Sequence, residues 1–588
     1  MHIRLSRADI DRYCQDTRDY EDLDQPELWL SRKARKILFH ACGISPKLQD
    51  TLEAYYGGRL PFVLATDPFR LYAEIDAVSF DKAARLWRRT AESADRRCML
   101  RAAILEAFDH FERAGHTFAD SQTILDRMAT TSGASMQEIE WAWRQALETG
   151  LIVELSLHGI RRAMLNRVFY EEATIASEVK QRLGTIPFSV TAADVIRHAT
   201  RLGIPQIDDS QVKAVIAACT HRTTIISGGP GTGKTTIIKI IASILMEADQ
   251  ALVPLCLSLP ARIARTIHEK TGLAADTLHN RLEYIDGTFG RNKDNPLDEG
   301  LIFLEEAFMV GNSLVLALLR ALRPSARLVI IGDAEQIAPI GRGKPIEALL
   351  ASGAVPSVIL NTNHRSGAGS TIPSSGKRVM KGLMPMVGPD ILYTQTIGPK
   401  DTLLAVTKAW HAAKNAVGVD NVQVLTARHE GPVGTKAIND AITGRREFAV
   451  GDRVMQLKND RDQDFFNGET GTIADISEGT ISVVTDAGVV AEFDLRATGT
   501  LSKAYCITFH KSQGLEFHTS IVVADPGNAN MLDRNMLNVG ITRARQKCVI
   551  IDERNQLRVA LSKSSSAKRR TLLAPLMATS PQVHRLGT

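Results

Sequence analysis

Apolar residues recur at helical spacing through most of residues 1–185. Ile104, Phe108 and Phe111, for example, fall on one face of a predicted helix. Residues 150–165 then alternate between apolar and polar positions, which predicts a β-hairpin. Helices that end in such a hairpin favour a winged-helix-like element within an α-helical N-terminal region.

A short turn separates two of the early helices. Residues 41–48 read Ala-Cys-Gly-Ile-Ser-Pro-Lys-Leu. In a tight turn of this kind, backbone N–H groups and Lys47 can meet a phosphate, as in a helix-hairpin-helix. Residues 75–84 are a second candidate hairpin, although they lack the expected glycines. For both segments the alternative is an ordinary corner between two helices of a bundle.

Further along, the pattern changes to buried strand, loop and helix, which predicts two parallel α/β domains. The first spans 186–352, and the second spans 353–444 and resumes over 501–560. Short alternating strands with glycine turns fill 445–500 and predict a small β-barrel inserted in the second domain. Residues 561–588 lack periodicity and predict a mobile C-terminal tail. The predicted fold class is α/β and multidomain.

Composition narrows the setting. The 588 residues are 44% hydrophobic and 23% charged, with a net charge of +5, which permits a nucleic-acid partner without requiring one. The seven cysteines are scattered and never in C-x-x-C spacing, so we expect neither a disulfide framework nor a zinc site, and a cytoplasmic location is favoured. We find no signal-peptide pattern and no long apolar run, and expect no membrane span.

The strongest chemical signal is Gly-Gly-Pro-Gly-Thr-Gly-Lys-Thr at residues 228–235. It fits the phosphate-binding loop pattern, and a β-branched strand precedes it while an apolar helix follows it. Lys234 would supply charge to the β- and γ-phosphates, and the Thr235 hydroxyl would bind Mg²⁺. The residues predicted to hold the nucleotide here are Gly228, Gly229, Pro230, Gly231, Thr232, Gly233, Lys234, Thr235 and Thr236.

Hydrolysis of a nucleoside triphosphate also needs acids close to the metal. Leu301–Leu304 is a predicted buried strand that ends in Glu305 and Glu306. Acids at the end of a strand of the same sheet face the phosphate loop, so one would hold Mg²⁺, assigned to Glu305, and the other would orient the attacking water. Taken alone, two acids after an apolar run are more often a helix cap or a surface turn.

Three further side chains complete a catalytic set. Gln336 follows another buried strand and can sense the γ-phosphate. Arg365 and Arg543 lie in the second α/β domain, from which guanidinium groups would reach the nucleotide as arginine fingers. Gln211 precedes the phosphate loop and would read adenine through its amide, which favours ATP; a helix-surface glutamine is nearly as good an interpretation.

These motifs, in this order, resemble those of superfamily 1 helicases and, more narrowly, the RecD-like DNA helicases, over about residues 32–551. The segments that carry the resemblance are 41–48, 115–118, 228–235, 277–279, 332–336, 361–365, 467–473, 508–517 and 540–545. The resemblance implies two RecA-like domains and an ATP- and Mg²⁺-dependent motor. It would move 5′→3′ on single-stranded DNA and separate duplex at junctions, in DNA repair or recombination, in a bacterial cytoplasm and at the nucleoid when DNA-bound.

The resemblance also assigns residues. It places Gly514 and Glu516 near the nucleotide, and a duplex-splitting protrusion near 284–296. Candidate DNA contacts are Arg262, Thr277, His279, Thr508, His510 and, in the hairpin, Lys47.

Four departures from the family pattern are present. Glu305 replaces an aspartate, Phe308 occupies a position that is usually small and polar, Ser366 replaces a glutamine, and Ser258–Arg262 differs from the expected Ala-Pro-Thr-Gly-Arg. A different hypothesis is therefore a nucleotide-gated DNA-binding accessory protein with weak or no turnover. A motor of the same fold that acts on RNA or in DNA transfer is a third.

Overall fold

The computed structural model describes residues 32–75, 77–90, 96–204, 206–285, 287–364, 369–460, 462–477, 479–494, 499–529, 531–564, 568–578 and 583–585. Two predicted positions of interest, Arg365 and Ser366, lie outside these ranges. Within them, no helix combines the length and apolarity needed to cross a membrane. Helices and strands are labelled below in chain order.

From residue 32 on, the described part of the N-terminal region is helical. Its first helices are α1 (Arg32–Ala41), α2 (Pro46–Tyr56), α3 (Leu60–Thr66), α4 (Phe69–Glu74), α5 (Phe80–Thr90) and α6 (Arg97–Arg113). The turn between α1 and α2 is the first predicted hairpin: Gly43 takes a φ of 76°, and Ser45 caps α2 by accepting a hydrogen bond from the Leu48 N–H. The second candidate hairpin joins α4 to α5.

A winged-helix-like element follows. Its members are β1 (Ala119–Asp120), α7 (Ser121–Ser132), α8 (Met136–Glu148), β2 (Ile152–Leu157) and β3 (Ile160–Leu165). The predicted hairpin is β2–β3, which pairs antiparallel in register from Ile152 opposite Leu165 to Leu157 opposite Ile160. The long helix α9 (Asn166–Gln181) then leads towards the first α/β domain.

The first α/β domain, called lobe 1 here, is built on a six-stranded parallel sheet in the order β11-β4-β10-β9-β5-β6. Its elements are α10 (Ala192–Arg201), α11 (Asp209–Thr220), β4 (Thr223–Gly228), α12 (Lys234–Ala248), β5 (Pro254–Ser258), α13 (Ala261–Thr271), β6 (Ala274–Thr277), α14 (Leu278–Arg281), β7 (Tyr284–Ile285), β8 (Thr288–Phe289), β9 (Leu301–Leu304), α15 (Asn312–Ala321), β10 (Arg327–Gly332), α16 (Pro345–Ser352) and β11 (Ser357–Leu360). Because β11 pairs with β4, lobe 1 extends to residue 360 rather than to the predicted 352.

Two antiparallel strands, β7 and β8, project from lobe 1 as a separate hairpin. They fall within the 284–296 segment for which a protrusion is predicted. The Tyr284 ring packs against His279 and Phe289, with ring centroids 5.4 Å and 5.0 Å away, while Ile285 is 69% exposed. The hairpin therefore has an aromatic base and one exposed apolar side chain, Ile285, next to its turn.

The second α/β domain, called lobe 2, has a five-stranded parallel sheet in the order β12-β21-β20-β13-β19. Its elements are α17 (Ile372–Met380), β12 (Ile391–Thr396), α18 (Pro399–Val417), β13 (Val422–Thr426), α19 (Thr435–Thr443), β19 (Cys506–Thr508), β20 (Phe517–Ala524), α20 (Arg534–Thr542), β21 (Ala544–Glu553) and α21 (Gln556–Leu561). The predicted α/β fold class with two parallel-sheet domains is confirmed.

The inserted β module interrupts lobe 2 as predicted. Its five antiparallel strands are β14 (Arg453–Gln456), β15 (Thr470–Ser477), β16 (Thr480–Thr485), β17 (Val490–Asp494) and β18 (Leu501–Lys503). They lie in the order β17-β16-β15-β14-β18 around a small core that contains Phe465, Ile473 and Ile481. Because β18 pairs with β14, the insertion ends at residue 503 rather than at 500.

The predicted mobile tail is wrong for residues 568–577, which form a docked segment called the C-terminal strap. Leu572 is fully buried in the core of the N-terminal region. Leu573 and Met577 of α22 (Leu573–Met577) are buried in the core of lobe 1. Further on, β22 (Val583–Arg585) adds an antiparallel strand to β2, so the sheet order there is β1-β3-β2-β22. The strap is held by the burial of its apolar side chains. The segment is too short for these residues to show a periodic pattern in the sequence.

A buried carboxylate organises the strap junction. Glu172 on α9 accepts hydrogen bonds from the Leu572 N–H at 2.9 Å, the Thr117 hydroxyl at 3.2 Å and the Asn312 amide at 3.3 Å, and also from the Thr571 hydroxyl. Burial raises the pKa of Glu172 to about 7, although these hydrogen bonds oppose the shift. The N-terminal region, lobe 1 and the strap therefore meet at one side chain.

Candidate nucleotide-binding cleft and surrounding contacts

The phosphate loop joins the fully buried strand β4 to α12. Gly231 and Gly233 take φ values of 79° and 82°, in the left-handed region that glycine enters at little cost. A Cβ atom at Gly233 would lie 2.3 Å from the Gln211 amide nitrogen, so the close approach also excludes any side chain there. The loop thus curls around the N-terminus of α12, where anions are favoured.

Lys234 folds its side chain back over this loop. Its ammonium donates to the carbonyl oxygens of Gly228 at 2.9 Å and Gly229 at 3.2 Å. In this arrangement the positively charged ammonium has two uncharged acceptors. Phosphate oxygens, which carry charge, would compete well for the same ammonium.

Lobes 1 and 2 enclose a cleft of about 500 Å³ at this loop. The predicted site residues that line it are Pro230, Gly231, Thr232, Gly233, Lys234, Thr235, Thr236, Glu305, Glu306, Gln336, Gly514, Glu516 and Arg543. Gly228 and Gly229 instead line a neighbouring cavity of about 280 Å³ behind the loop. The structure therefore brings these predicted residues, from both lobes, together at one site.

Glu305 and Glu306 follow β9 as the sequence predicts. Glu305 is 5% exposed, and burial raises its pKa while the Lys234 charge opposes the shift. Glu306 has a φ of 51°, an unusual backbone conformation for a residue other than glycine. Among the described atoms its Oε2 is buried without a hydrogen-bond partner. Strain and an unsatisfied carboxylate at one position are typical of functional sites.

These residues suit a magnesium ion. In the described part of the chain, no cluster of three or more His, Cys, Asp or Glu side chains could hold a metal alone. Mg²⁺ is commonly held by one or two carboxylates together with substrate phosphates, and the cleft offers that combination. Thr235 and Glu305, the two residues that the sequence assigns to the ion, both line the cleft.

The Phe308 departure has a structural explanation. Its ring is 6% exposed and lies against Gly332, where an added Cβ would approach it to 2.8 Å. The phenylalanine therefore points into the core of lobe 1, and Gly332 provides its space. Phe308 is not among the residues that line the cleft.

Gln336 and Arg543 face the cleft from opposite lobes. Gln336 is 4% exposed, and its Oε1 is buried without a hydrogen-bond partner among the described atoms. The Arg543 guanidinium donates to the Leu515 carbonyl at 3.1 Å and leaves Nε unpartnered among those atoms. Both side chains retain hydrogen-bonding capacity towards a nucleotide. The other predicted finger, Arg365, lies outside the described residues.

The structure places Gln211 differently from the prediction. Its side chain is 3% exposed and does not line the cleft. The amide makes two structural bonds: Nε2 donates to the Thr232 carbonyl at 3.0 Å, and Oε1 accepts from the Asp208 N–H at 3.1 Å. Gln211 therefore closes the capping box of α11 and supports the phosphate loop from behind.

The sequence prediction missed several cleft residues. His364 lines the cleft, and its Nε2 lies 2.9 Å from an Asp208 carboxylate oxygen. Burial alone would raise the pKa of Asp208, but hydrogen bonds from Ser210, Gln211 and His364 lower it to about 2. Lys239 was also missed, although its position one turn after Thr235 on α12 was an available signal.

The predicted DNA contacts are spread outside the cleft. Lys47 is exposed in the first turn of α2, and His279 is exposed on α14. Thr277 caps α14 by accepting from the Asn280 N–H at 3.2 Å. Thr508 is buried at the end of β19, and His510 is half-buried after it.

Among the predicted DNA contacts, Arg262 differs in that its side chain contacts the inserted β module. Its guanidinium donates to the Thr470 hydroxyl at 3.0 Å and lies 3.9 Å from Asp486, both in the inserted β module. Its neighbour Arg265 pairs with Glu469 at 3.2 Å and Asp464 at 3.5 Å. Helix α13 thus holds the β module against lobe 1, and Arg262 is engaged by protein rather than presented to DNA.

The two lobes and the shared cleft define a P-loop nucleotide-binding protein with RecA-like domains. Three sequence families match the chain: an ATP-dependent RecD2 DNA helicase HHH domain over residues 31–118, an AAA domain over 211–342, and a UvrD-like helicase C-terminal domain over 503–551. These matches support a RecD-like helicase of superfamily 1, in the form with an N-terminal helix-hairpin-helix region.

Curated relatives extend the similarity along the chain. The ATP-dependent RecD2 DNA helicase of Deinococcus radiodurans is 28% identical over 539 residues, which cover 88% of this chain and 74% of that protein. The RecBCD enzyme subunit RecD of Mycobacterium tuberculosis is 24% identical over 550 residues, which cover 83% and 93%. Among solved structures, Pif1 helicase from Bacteroides in complex with ADP-AlF3 and ssDNA is 16% identical with a TM-score of 0.39, covering 61% of this chain and 93% of that one.

Proposed function

We propose that this chain is an ATP-dependent DNA helicase that moves 5′→3′ along single-stranded DNA and unwinds duplex ahead of it. The observation that carries the proposal is the cleft, because the phosphate loop of lobe 1 and Arg543 of lobe 2 line one cavity. A nucleotide bound there would contact both lobes, so its hydrolysis can change their separation. The name of the Deinococcus radiodurans relative, an ATP-dependent RecD2 DNA helicase, supports DNA as the polymer.

Each residue of the cleft has a proposed role in ATP binding or hydrolysis. Incoming phosphates would draw the Lys234 ammonium away from its two carbonyl acceptors, and the loop N–H groups would hold the β-phosphate. Glu306 would orient the attacking water, and Gln336 would bond the γ-phosphate. Arg543 would offset the charge that develops on that phosphate. Thr235 and Glu305 would hold Mg²⁺, which supplies charge neutralisation when bound.

Duplex separation would take place at the hairpin β7–β8. Its exposed Ile285 side chain and its aromatic base at Tyr284 suit contact with the faces of unpaired bases. Thr277, His279, Thr508 and His510 are proposed to contact the single strand, and Lys47 to contact duplex phosphates. The 5′→3′ polarity, the role in repair or recombination and a place at the bacterial nucleoid rest on the RecD-like resemblance.

A strand-displacement assay tests the proposal directly. Duplexes with a 5′ or a 3′ single-stranded overhang are incubated with the protein, Mg²⁺ and ATP, and hydrolysis is measured in parallel with and without single-stranded DNA. We expect DNA-stimulated hydrolysis and displacement of the 5′-overhang substrate. Displacement of the 3′-overhang substrate alone would reverse the polarity, and no stimulated hydrolysis would remove the helicase proposal.

Glu305 keeps a second function open: a nucleotide-gated DNA-binding accessory protein with weak turnover. Mg²⁺ requires near-octahedral geometry, and one additional methylene changes where the carboxylate sits. This candidate predicts ATP-dependent DNA binding without stimulated hydrolysis in the same assay.

A further inference from the structure

Helix α20 connects the two sides of the cleft by a route separate from the nucleotide. Its C-terminal end is followed directly by Arg543, and its N-terminal turn lies against the loop of lobe 1 that carries Gln336. The contact is made by Asn535, whose side chain is 2% exposed. A rigid helix therefore has one end at the γ-phosphate sensor and the other at the arginine finger.

The hydrogen bonds of Asn535 cross from lobe 2 to lobe 1. Its Nδ2 donates to the carbonyl of Glu335 at 3.2 Å and to the carbonyl of Gln336 at 3.0 Å. One turn along α20, Asn538 Nδ2 donates to the same Glu335 carbonyl at 3.3 Å. The Ser564 hydroxyl donates to Asn535 Oδ1 at 3.2 Å, which fixes the amide with its nitrogen towards lobe 1.

These hydrogen bonds link a side chain of lobe 2 directly to the backbone of the lobe 1 loop that carries Gln336. The acceptors are main-chain carbonyls of the sensor loop, so a shift of that backbone must move Asn535 or break both bonds, of which the one to Gln336 is buried. Breaking them leaves the buried Asn535 amide without its acceptors, which favours movement of loop and helix as a unit. Since Arg543 follows the last turn of α20, that movement reaches the finger.

We propose that Asn535, assisted by Asn538, is a positioning residue that couples the γ-phosphate sensor Gln336 to the arginine finger Arg543. The inference rests on the proposed ATPase function and adds the element that transmits closure between the lobes. It assigns no contact between Asn535 and the nucleotide. Loss of the amide therefore impairs the catalytic step much more than the binding of ATP.

The chain offers a matched control in Asn439 on α19. Its buried amide also donates to two carbonyls, those of Lys503 at 2.9 Å and Cys506 at 3.0 Å, but all partners lie on its own side of the cleft. Asn535→Leu and Asn439→Leu each remove two buried amide donors with a near-isosteric apolar side chain. Only the first change removes bonds between the lobes.

The experiment compares kcat and KM for ATP, with saturating single-stranded DNA, in the wild type and both variants. We expect Asn535→Leu to lower kcat about tenfold or more while KM changes less than about threefold, as for a group that acts mainly in the transition state. Asn439→Leu should keep kcat within about twofold of the wild type, even if it lowers the melting temperature as much as Asn535→Leu does. Equal losses of kcat in the two variants, or an unchanged kcat in Asn535→Leu, would overturn the proposal.

A second readout follows closure without hydrolysis. The described cysteines are all buried, and Cys14, which lies outside the described residues, is replaced by serine. Exposed Met246 on lobe 1 and Leu404 on lobe 2 can then be changed to cysteine and labelled for energy transfer. A non-hydrolysable ATP analogue should change the transfer efficiency in the wild type and in Asn439→Leu, and much less in Asn535→Leu. An equal change in all three proteins contradicts coupling through Asn535.

Failure of the proposed function would look different. A wild type that hydrolyses no ATP with DNA refutes the helicase proposal, while the energy-transfer comparison still decides the role of Asn535. If Asn535→Leu does not fold, Asn535→Ser and Asn538→Ala replace it, because both remove cross-lobe donors with smaller changes in the core. Normal kcat in both milder variants would again overturn the coupling.

Discussion

The nucleotide cleft and the strap junction are both places where separate modules meet, but their polar groups are arranged differently. In the cleft, Glu306 and Gln336 have buried oxygens without partners among the described atoms, and Lys234 rests on neutral carbonyls. At the strap junction, Glu172 accepts four hydrogen bonds from three parts of the chain. Unsatisfied groups await a ligand, whereas satisfied ones resist movement. From the bonding of Glu172 we expect the N-terminal region to move together with lobe 1, and relative motion to occur at the cleft.

The largest expected effect comes from the cleft. Lys234→Ala should lower DNA-stimulated ATP hydrolysis by roughly 10²–10³-fold, because it removes a preorganised charge from the phosphates. Steady-state hydrolysis measures the loss, and circular dichroism checks that the fold is intact. Exposed Lys408→Ala on α18 is the control and should leave the rate unchanged. Unchanged turnover in Lys234→Ala would refute the phosphate-loop assignment.

Next in size is a change in the strap. Leu572→Ala should lower the free energy of unfolding by about 2–4 kcal/mol, since the side chain is fully buried at the junction. Thermal unfolding measures the shift, and limited proteolysis should show new cleavage near the strap. Leu404→Ala, at a position that is 69% exposed, is the control. If Leu572→Ala matches that control, the strap is not docked as described.

A smaller effect should depend on pH. Because the pKa of Glu172 is raised from 4.5 to about 7, the folded state binds more protons than the unfolded state between those values, and stability falls as pH rises through that window. Glu172→Gln removes this titration, and Asn312, whose Oδ1 has no partner among the described atoms, can turn to accept from the new amide. We therefore expect the variant to melt above the wild type at about pH 8 and to lose this advantage near pH 5.

Melting curves across that range, with exposed Glu447→Gln as the control, test this expectation. Parallel curves for wild type and Glu172→Gln at every pH would show that Glu172 does not titrate in the junction.

The smallest effect concerns Glu305. If the longer carboxylate holds Mg²⁺ at a stretch, Glu305→Asp should preserve or raise DNA-stimulated hydrolysis, staying within about threefold of the wild type if the rate is not raised. The dependence of the rate on Mg²⁺ concentration is measured at the same time. A large loss of activity would instead show that the site has adapted to glutamate.

Local sequence predicted the parts of the molecule that local chemistry determines. The phosphate loop needs glycines and a lysine at fixed spacing, and the first hairpin needs its Gly-Ile-Ser-Pro-Lys turn, so both could be located from the order of residues alone. The order of motifs then predicted which side chains from lobe 2 would join the cleft. Arg543 and Glu516 were placed in this way.

What the sequence did not show depends on contacts distant along the chain. The strap is a short apolar pair, Leu572 and Leu573, after a basic and serine-rich stretch, and no period reveals that it docks. Gln211 has the spacing of an adenine reader, but its amide is used by its own helix cap and by the phosphate loop. The bonds of Asn535 join residues about 200 positions apart, which a motif search cannot detect.

The pairing of β22 with β2 has a consequence for biosynthesis. A ribosome makes β2 early and must add both lobes before β22 exists. Until then the nascent N-terminal sheet has an open edge, with unpaired amides that can recruit other strands. A chain truncated within lobe 2 would therefore keep an unpaired β2 edge. That exposed edge would let chaperones and proteases distinguish the truncated product from the full chain.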